Sequence, residues 1–430
     1  MMKNKFFFLS KKFLKQELVK GSIYIFIGAI FANIFNFLFN LFMSRNLPVE
    51  DYGILASLIS LMALVTTPVG AVIPTVVNFA GSRFAKEEYE ELRIFFLKII
   101  KPLILTGFIF LFSFILFTKR IGDFFHISDQ SLIVIAGIIV FVVYVGVING
   151  GLLQAKLAFK FISLSNFISS LIKLLAGVFL VFLGFNLKGV MWALALSSVV
   201  PFFISFIPLR VLFRSQRHVS NTTHFKNLLS YGIPSSLATL GLASLISADI
   251  LLVKHFYDPQ QAGVYAGLSL VGKVIFFLTA PIGTVMFPLV VQKYARNESY
   301  NNIFKMAITL VFIPSILISI FYFLYPDFVI GFFIKNKIYM SASRLLGLYG
   351  IFITIYSLIS LLVYYFLSIK KTKVYIAVIF SAIVQALLIT LYHDSLFKVV
   401  IISLIVSTIL LISLLFYYIK VTRSHFNQIR

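Results

Sequence analysis

Residues 264–291 read VYAGLSLVGKVIFFLTAPIGTVMFPLVV, an apolar run interrupted by a single charge, Lys273. About 20 apolar residues wound as a helix match the hydrocarbon thickness of a bilayer. In lipid, a helix satisfies its backbone polar groups within one segment. The stretch therefore reads as a membrane span. Lys273 then needs a physical reason, because a charge at mid-span costs ~2.5–3.5 kcal/mol even on the lenient insertion scale. A water-filled cavity, a charged partner or an anionic ligand would offset it.

The same pattern recurs along all 430 residues, which are 60% hydrophobic, 17% aromatic and only 12% charged. No globular domain needs so much apolar surface. Apolar runs mark twelve spans, at 21–44, 54–81, 99–118, 131–152, 162–183 and 190–213, then at 228–253, 264–291, 306–325, 345–368, 374–392 and 399–418. The expected fold class is all-α, a polytopic membrane protein of twelve helices in two six-helix lobes. The lobes are 1–213, with a basic arm at 1–20, and 228–430; the polar stretch RSQRHVSNTTHFKN at 214–227 links them. The first apolar segment shows no small-residue cleavage signal and reads as a retained span. The stretch 326–343 reads as the longest loop on the outer side, too short to fold as a domain.

The net charge of +23 lies in short loops between spans, so it reports membrane topology rather than a nucleic-acid footprint. With both termini cytoplasmic, most of the 37 basic residues fall on the arm, alternate loops and tail, while Arg45, Lys119, Lys254 and Lys335 are among the few opposite. That is the positive-inside distribution. With no cysteine, disulfides and thiolate metal sites are excluded.

The two halves share a repeat. Gly53, Ala56 and Leu58 match Gly263, Ala266 and Leu268, and at the same offset Arg83-Phe84-Ala85-Lys86 matches Lys293-Tyr294-Ala295-Arg296. Between these anchors lie Pro68, Gly70 and Pro74 in one half and Pro281, Gly283 and Pro288 in the other, with local slippage. Corresponding Pro/Gly-interrupted spans point to a transporter with a central site, and these six residues are its candidate hinges. An even number of spans separates the repeats, so the lobes run parallel about a pseudo-twofold along the membrane normal.

Inside the spans, Asn166, Ser170, Lys173 and Gly177 recur at helical spacing, as do Asn33, Asn36 and Asn40. Such polar stripes also serve as interhelical hydrogen bonds worth ~0.6 kcal/mol each. Lys173 and Lys273 are harder to place that way, because an ammonium only donates and needs an anion, carbonyls or water. Of 14 acidic residues, Asp249 alone falls within an expected span, near its end. It reads either as an interfacial residue or as a coupling or charge-balancing group beside Lys254 or Lys273. A weakly cationic, hydrophilic cavity suits an anionic head group, with the lysines and asparagines as its candidate binding residues. The basic loops around Arg83 and Lys293 read as topology signals rather than phosphate sites.

No Gly-rich phosphate loop or HExxH motif is present, and the six histidines lack metal-ligand spacing. The chain reads as neither an enzyme nor a cofactor protein.

Two stretches resemble the polysaccharide-transport flippases of the multidrug/oligosaccharidyl-lipid/polysaccharide exporter superfamily. One is SADILLVKHFYDPQQAGVYAGLSLVGKVIFFLTAPIGTVMFPLV (Ser247–Val290), carrying Asp249, Gly263, Tyr265, Ala266, Pro281 and Pro288; the other is its counterpart Arg45–Phe79. The resemblance implies a flippase for undecaprenyl-pyrophosphate-linked oligosaccharide in the bacterial cytoplasmic membrane, working by alternating access in surface polysaccharide assembly. It implies lipid-linked oligosaccharide as substrate, membrane lipids and a polysaccharide polymerase or other assembly proteins as partners, no nucleic acid, and a proton or sodium ion as candidate coupler. Lys173 and Lys273 would hold phosphate or acidic sugar and the asparagines sugar hydroxyls. The chain lacks the two additional spans of the lipid II flippases and the acidic cluster of the proton-coupled drug exporters. An ion-coupled small-molecule antiporter on the same scaffold is the alternative.

Overall fold

The computed structural model describes residues 28–213, 226–295 and 298–429, and the described chain is helical with short 3₁₀ segments. The basic arm at 1–20 and most of the linker, 214–225, lie outside the described residues.

The first lobe holds α1 (residues 28–46), α2 (Val49–Thr66), α3 (Val72–Ala85), α4 (Tyr89–Leu116), α5 (Thr118–Phe125), α6 (Ser131–Ala155), α7 (Phe159–Phe182) and α8 (Asn186–Leu209). The second holds α9 (Lys226–Phe256), α10 (Pro259–Gly272), α11 (Val274–Ala295), α12 (Asn301–Leu324), α13 (Pro326–Ile334), α14 (Leu346–Ser368), α15 (Val374–Leu391) and α16 (Leu396–Ile429). Among the described residues, 11 helical segments are long and apolar enough to cross a membrane. The first expected span, whose start lies outside the described residues, is α1. The twelve-helix, two-lobe expectation is borne out.

The lobes repeat one plan. In each, the second span is interrupted: by the 3₁₀ segment Thr67–Ala71 between α2 and α3, and at Lys273 between α10 and α11. After the third span each lobe adds a short helix, α5 or α13, that ends in a left-handed residue, His126 (φ 52°) or Lys335 (φ 59°). In the first lobe α4 and α3 pack on α6, as α12 and α11 pack on α14 in the second. The expected loop at 326–343 is thus largely structured, as α13 plus a 3₁₀ segment at Lys337–Leu345. Pro326 at the first helical position starts α13 without losing a hydrogen bond.

The lobes meet along α2, which packs on α9 and α10. The repeat equivalents Gly53 and Gly263 face each other at this crossing: a Cβ on Gly53 would lie 2.9 Å from the Gly263 nitrogen, and one on Gly263 only 2.0 Å from the Val49 carbonyl oxygen. Two further contacts flank the crossing at the end of the bundle where the α1–α2 and α9–α10 turns lie. Arg45 donates from its guanidinium to the carbonyls of Phe332 and Phe333 near the end of α13. His255, at the repeat position of Arg45, bonds through Nδ1 to the Phe124 carbonyl in α5 (2.8 Å). Each lobe therefore reaches over to the short helix of the other, as a twofold between them requires. At the same end, the side-chain and backbone donors of Ser131 (2.6 and 3.0 Å) and then Lys188 (3.7 Å) hold the Asp129 carboxyl below the usual carboxylate range.

Proline-freed carbonyls are reused as helix-packing contacts. Pro201 cannot donate to the Ser197 carbonyl, which instead accepts the Ser169 hydroxyl at 2.7 Å. Pro281 frees the Phe277 carbonyl in the same way, and Asn33 of the other lobe reaches it at 3.4 Å.

Candidate functional site

A cavity of about 520 Å³ lies inside the first lobe, walled by α1, α2, α6, α7 and α8. Its position follows from local sequence. The α7 stripe Asn166, Ser170, Lys173 turns toward α1, where Asn33, Asn36 and Asn40 supply a second polar stripe. The α7 helix approaches α1 closely because Gly177 has no side chain: a Cβ there would lie 2.7 Å from Met43 Cε and 2.8 Å from Phe39 Cε2. The Phe39 ring occupies the resulting space, and the Lys173 ammonium stands 4.8 Å from its centroid. A ring face attracts a cation, which offsets part of the cost of holding this charge inside the bundle.

Among the described residues, Lys173 is the sole charged side chain on the cavity wall, and none of the described wall residues is aromatic. Asn40 donates to the Asn36 carbonyl at 2.8 Å, and Ser170 to the Asn166 carbonyl at 2.9 Å, so both hydroxyl and amide are tied to their own helices. The side-chain amides of Asn36 and Asn166 take no partner among the described residues and face the cavity. Thr66, Ser169, Ser197 and Ser198 complete the polar wall. Sequence reasoning missed these four. The signal for two of them is the proximity of Ser197 and Ser198 to Pro201, where a helix interior leaves a carbonyl for other groups.

The structure thus brings Lys173, Asn33, Asn36, Asn40 and Asn166 to one cavity, and it places Lys273 elsewhere. Lys273 caps the end of α10 in the second lobe, where it interacts across space with Asp249. Asp249 is fully buried rather than interfacial. Its carboxylate accepts the hydroxyls of Tyr265 (2.8 Å) and Tyr349 (3.2 Å) and the Ile250 amide (2.8 Å), and the Tyr349 oxygen in turn accepts the Ser269 hydroxyl at 2.8 Å. The cavity and the carboxylate network are therefore separate, one in each lobe.

The candidate hinge residues divide between the two kinds of break. Pro68 and Gly70 lie in the 3₁₀ segment between α2 and α3, and Pro74 lies just inside α3. Pro281, Gly283 and Pro288 lie within the continuous helix α11, past the interruption at Lys273. Gly272 lets that point pack closely on α14, because a Cβ there would meet the Tyr349 ring at 2.2 Å.

Comparison with known proteins gives the family. The one described as polysaccharide biosynthesis protein matches residues 18–294. No curated protein matches the chain. Solved structures share its fold at low identity. An inward-facing multidrug resistance MATE family transporter of the MOP superfamily superposes with a TM-score of 0.73 at 14% identity, covering 94% of this chain and 99% of that one. An outward-facing MATE family transporter gives 0.65 at 17% identity, with 94% of each chain covered. The lipid II flippase MurJ in an inward closed conformation gives 0.66 at 16% identity, covering 92% of this chain and 87% of that one. With the family match spanning more than half its length, the chain belongs to the polysaccharide biosynthesis protein family, and it has the fold of the MOP-superfamily transporters.

Proposed function

We propose that this protein is a flippase that moves a lipid-linked oligosaccharide, undecaprenyl-pyrophosphate-linked, across the bacterial cytoplasmic membrane for surface polysaccharide assembly. The observation that supports the reading best is the cavity of about 520 Å³ set among membrane helices, with one ammonium and free amides on its described wall. Such a wall replaces the water around a hydroxyl-rich, anionic head group at mid-membrane depth, while the lipid tail stays among the acyl chains. Among the described wall residues a bare organic cation finds an ammonium and no carboxylate, which disfavours the antiporter reading. The polysaccharide family and the shared fold with a lipid II flippase agree with this assignment.

In this reading both termini are cytoplasmic, so the end holding the Arg45 and His255 contacts faces outward and is closed. Alternating access rocks the lobes about the Gly53–Gly263 crossing. Asp249, with Lys273 beside it, is the proposed charge-balancing or proton- or sodium-coupling group in the second lobe.

The test is reconstitution into vesicles containing a fluorescent lipid-linked oligosaccharide. Protein-dependent loss of its accessibility to an added quencher, at a rate well above that of empty vesicles, is the expected result. Gradient-driven efflux of a cationic dye with no glycan movement would replace the flippase reading with the antiporter.

A further inference from the structure

We infer that the second lobe carries an outward-facing sugar site of its own, in the crevice between the first turn of α10, the 3₁₀ segment Lys337–Leu345 and the start of α16. The inference rests on the flippase reading, which sets this end outward, and adds a place where the head group lands once it has left the cavity. The crevice holds about 640 Å³ and lies within the second lobe, whereas the cavity lies within the first. That volume falls in the ~300–1,000 Å³ range of small-ligand sites. The fold fixes its walls. Gly267 lets α10 press on the 3₁₀ segment, because a Cβ there would lie 2.2 Å from Tyr339 Cε1. The Asp258 carboxylate caps α10 by accepting the backbone N–H of Gln261 at 2.9 Å, and the Asn336 side chain caps the 3₁₀ segment by accepting that of Ile338 at 3.0 Å. Beside these caps, the side-chain amides of Gln260 and Gln261 and the Lys337 ammonium line the crevice with no partner among the described residues.

Tyr257, which also lines the crevice, points to a ligand. Its hydroxyl is shielded from solvent and has no hydrogen-bond partner among the described residues. Buried polar groups are almost always paired, so this one calls for a group supplied from outside the chain. Burial and then the nearby Asp394 carboxylate push it up to about 12, so it keeps its proton and can donate. Free amides and hydroxyls both donate and accept, as the hydroxyl edge of a sugar ring requires. The Tyr257 ring, with Val264 and Leu345, supplies apolar surface for the C–H face of that ring. A zwitterionic lipid head group fits less well. Its amine needs a free carboxylate, and Asp394 is already paired with Lys398.

The chain has no cysteine, so one environment-sensitive fluorophore at Ser341→Cys, exposed on the crevice wall, reports occupancy in the purified full-length protein. The probes are the oligosaccharide released by mild acid from the lipid-linked pool of the producing cells, and phosphoethanolamine. A saturable response to the oligosaccharide and none to phosphoethanolamine is expected. Gln261→Ala with Lys337→Ala is expected to weaken that response at least about tenfold, the loss of two hydrogen bonds, and Tyr257→Phe to weaken it as well. No saturable response from protein that moves lipid-linked oligosaccharide in vesicles would overturn the inference and leave the flippase reading intact. A response to phosphoethanolamine alone would overturn it too. So would a response lost in Asn36→Ala with Asn166→Ala, in the cavity, but kept in the crevice variants. A saturable response from protein that moves no lipid-linked oligosaccharide would keep the sugar site and remove the flippase reading. Should the crevice variants not fold, protection of the unlabelled Ser341→Cys thiol from a charged thiol reagent decides: slowing by the oligosaccharide is expected, and an unchanged rate overturns the inference.

Discussion

At Asp249 a carboxylate shielded from solvent is met by two tyrosine hydroxyls and a backbone amide, with Lys273 close enough to feel its charge. Removing one partner of a buried charge pair leaves the other uncompensated, typically at a cost of ~3–5 kcal/mol, whereas removing both is often nearly neutral. Asp249→Asn is therefore expected to lower the melting temperature in detergent clearly, and Asp249→Asn with Lys273→Met to recover much of the loss. Additive losses in the double variant would show that the two groups do not act as a pair. A vesicle assay with an imposed proton or sodium gradient checks the proposed coupling role. Asp249→Asn is expected to keep downhill flipping and to lose its response to the gradient. A retained response would move coupling to another group.

At the scale of helices, the α2–α10 crossing depends on the absence of side chains at Gly53 and Gly263. Gly263→Ala forces a methyl carbon onto the Val49 carbonyl oxygen, which is backbone and cannot rotate away. Overpacking of this kind costs ~1–3 kcal/mol, so Gly263→Ala is expected to lower stability and loosen the lobe contact. Gly70→Ala is the control: open space surrounds it, and its stability should match wild type or exceed it slightly. Equal effects of the two substitutions, read by thermal melting, would argue against the crossing as a tight contact. This repeat was legible in the sequence because hydrophobic length fixes spans and because Gly53 and Gly263 stand in matched surroundings. Five of the six expected binding residues share the cavity for a similar reason, since spacing of three and four places them on one helix face. Periodicity gives no information on which neighbour that face meets, and so Lys273 could not be separated from Lys173. Short helices such as α5 and α13 escape notice because eight or nine residues carry too little apolar length to register as spans. Lys254 reads from sequence as a lysine at a span end, whereas the fold buries it at the lobe junction.

For the whole molecule, the junction that closes one end of the bundle contains forces of opposite sign. Arg45 and His255 hold the lobes together through carbonyls of the opposite short helices, and the His255 ring stacks on Phe124 with centroids 3.8 Å apart. Lys254, one residue before His255, is 1% exposed, and its ammonium has no hydrogen-bond partner among the described residues. Its charge is offset across the junction by Asp51 and then Glu50, in the first turn of α2. An incompletely paired buried ammonium opposes closure, because parting the lobes returns it to water. The variants should therefore separate by direction. Arg45→Ala with His255→Ala is expected to favour the open end, and so is Asp51→Asn, which removes the carboxylate that makes burial of Lys254 tolerable. Lys254→Met is expected to do the reverse and hold the end closed. The chain has no cysteine, so spin labels at Asn46→Cys and Gln260→Cys, exposed positions on opposite lobes, report the separation without a background. Pulsed electron–electron distance distributions should lengthen in the first two variants and narrow toward the short distance in Lys254→Met. A simple ion-pair latch predicts lengthening for Asp51→Asn and Lys254→Met alike, and that outcome would replace the balance of opposing forces with a latch. Under the proposed flippase function, Lys254→Met should then move lipid-linked glycan more slowly in vesicles despite greater thermal stability, because a junction that closes too well returns to the open state less often.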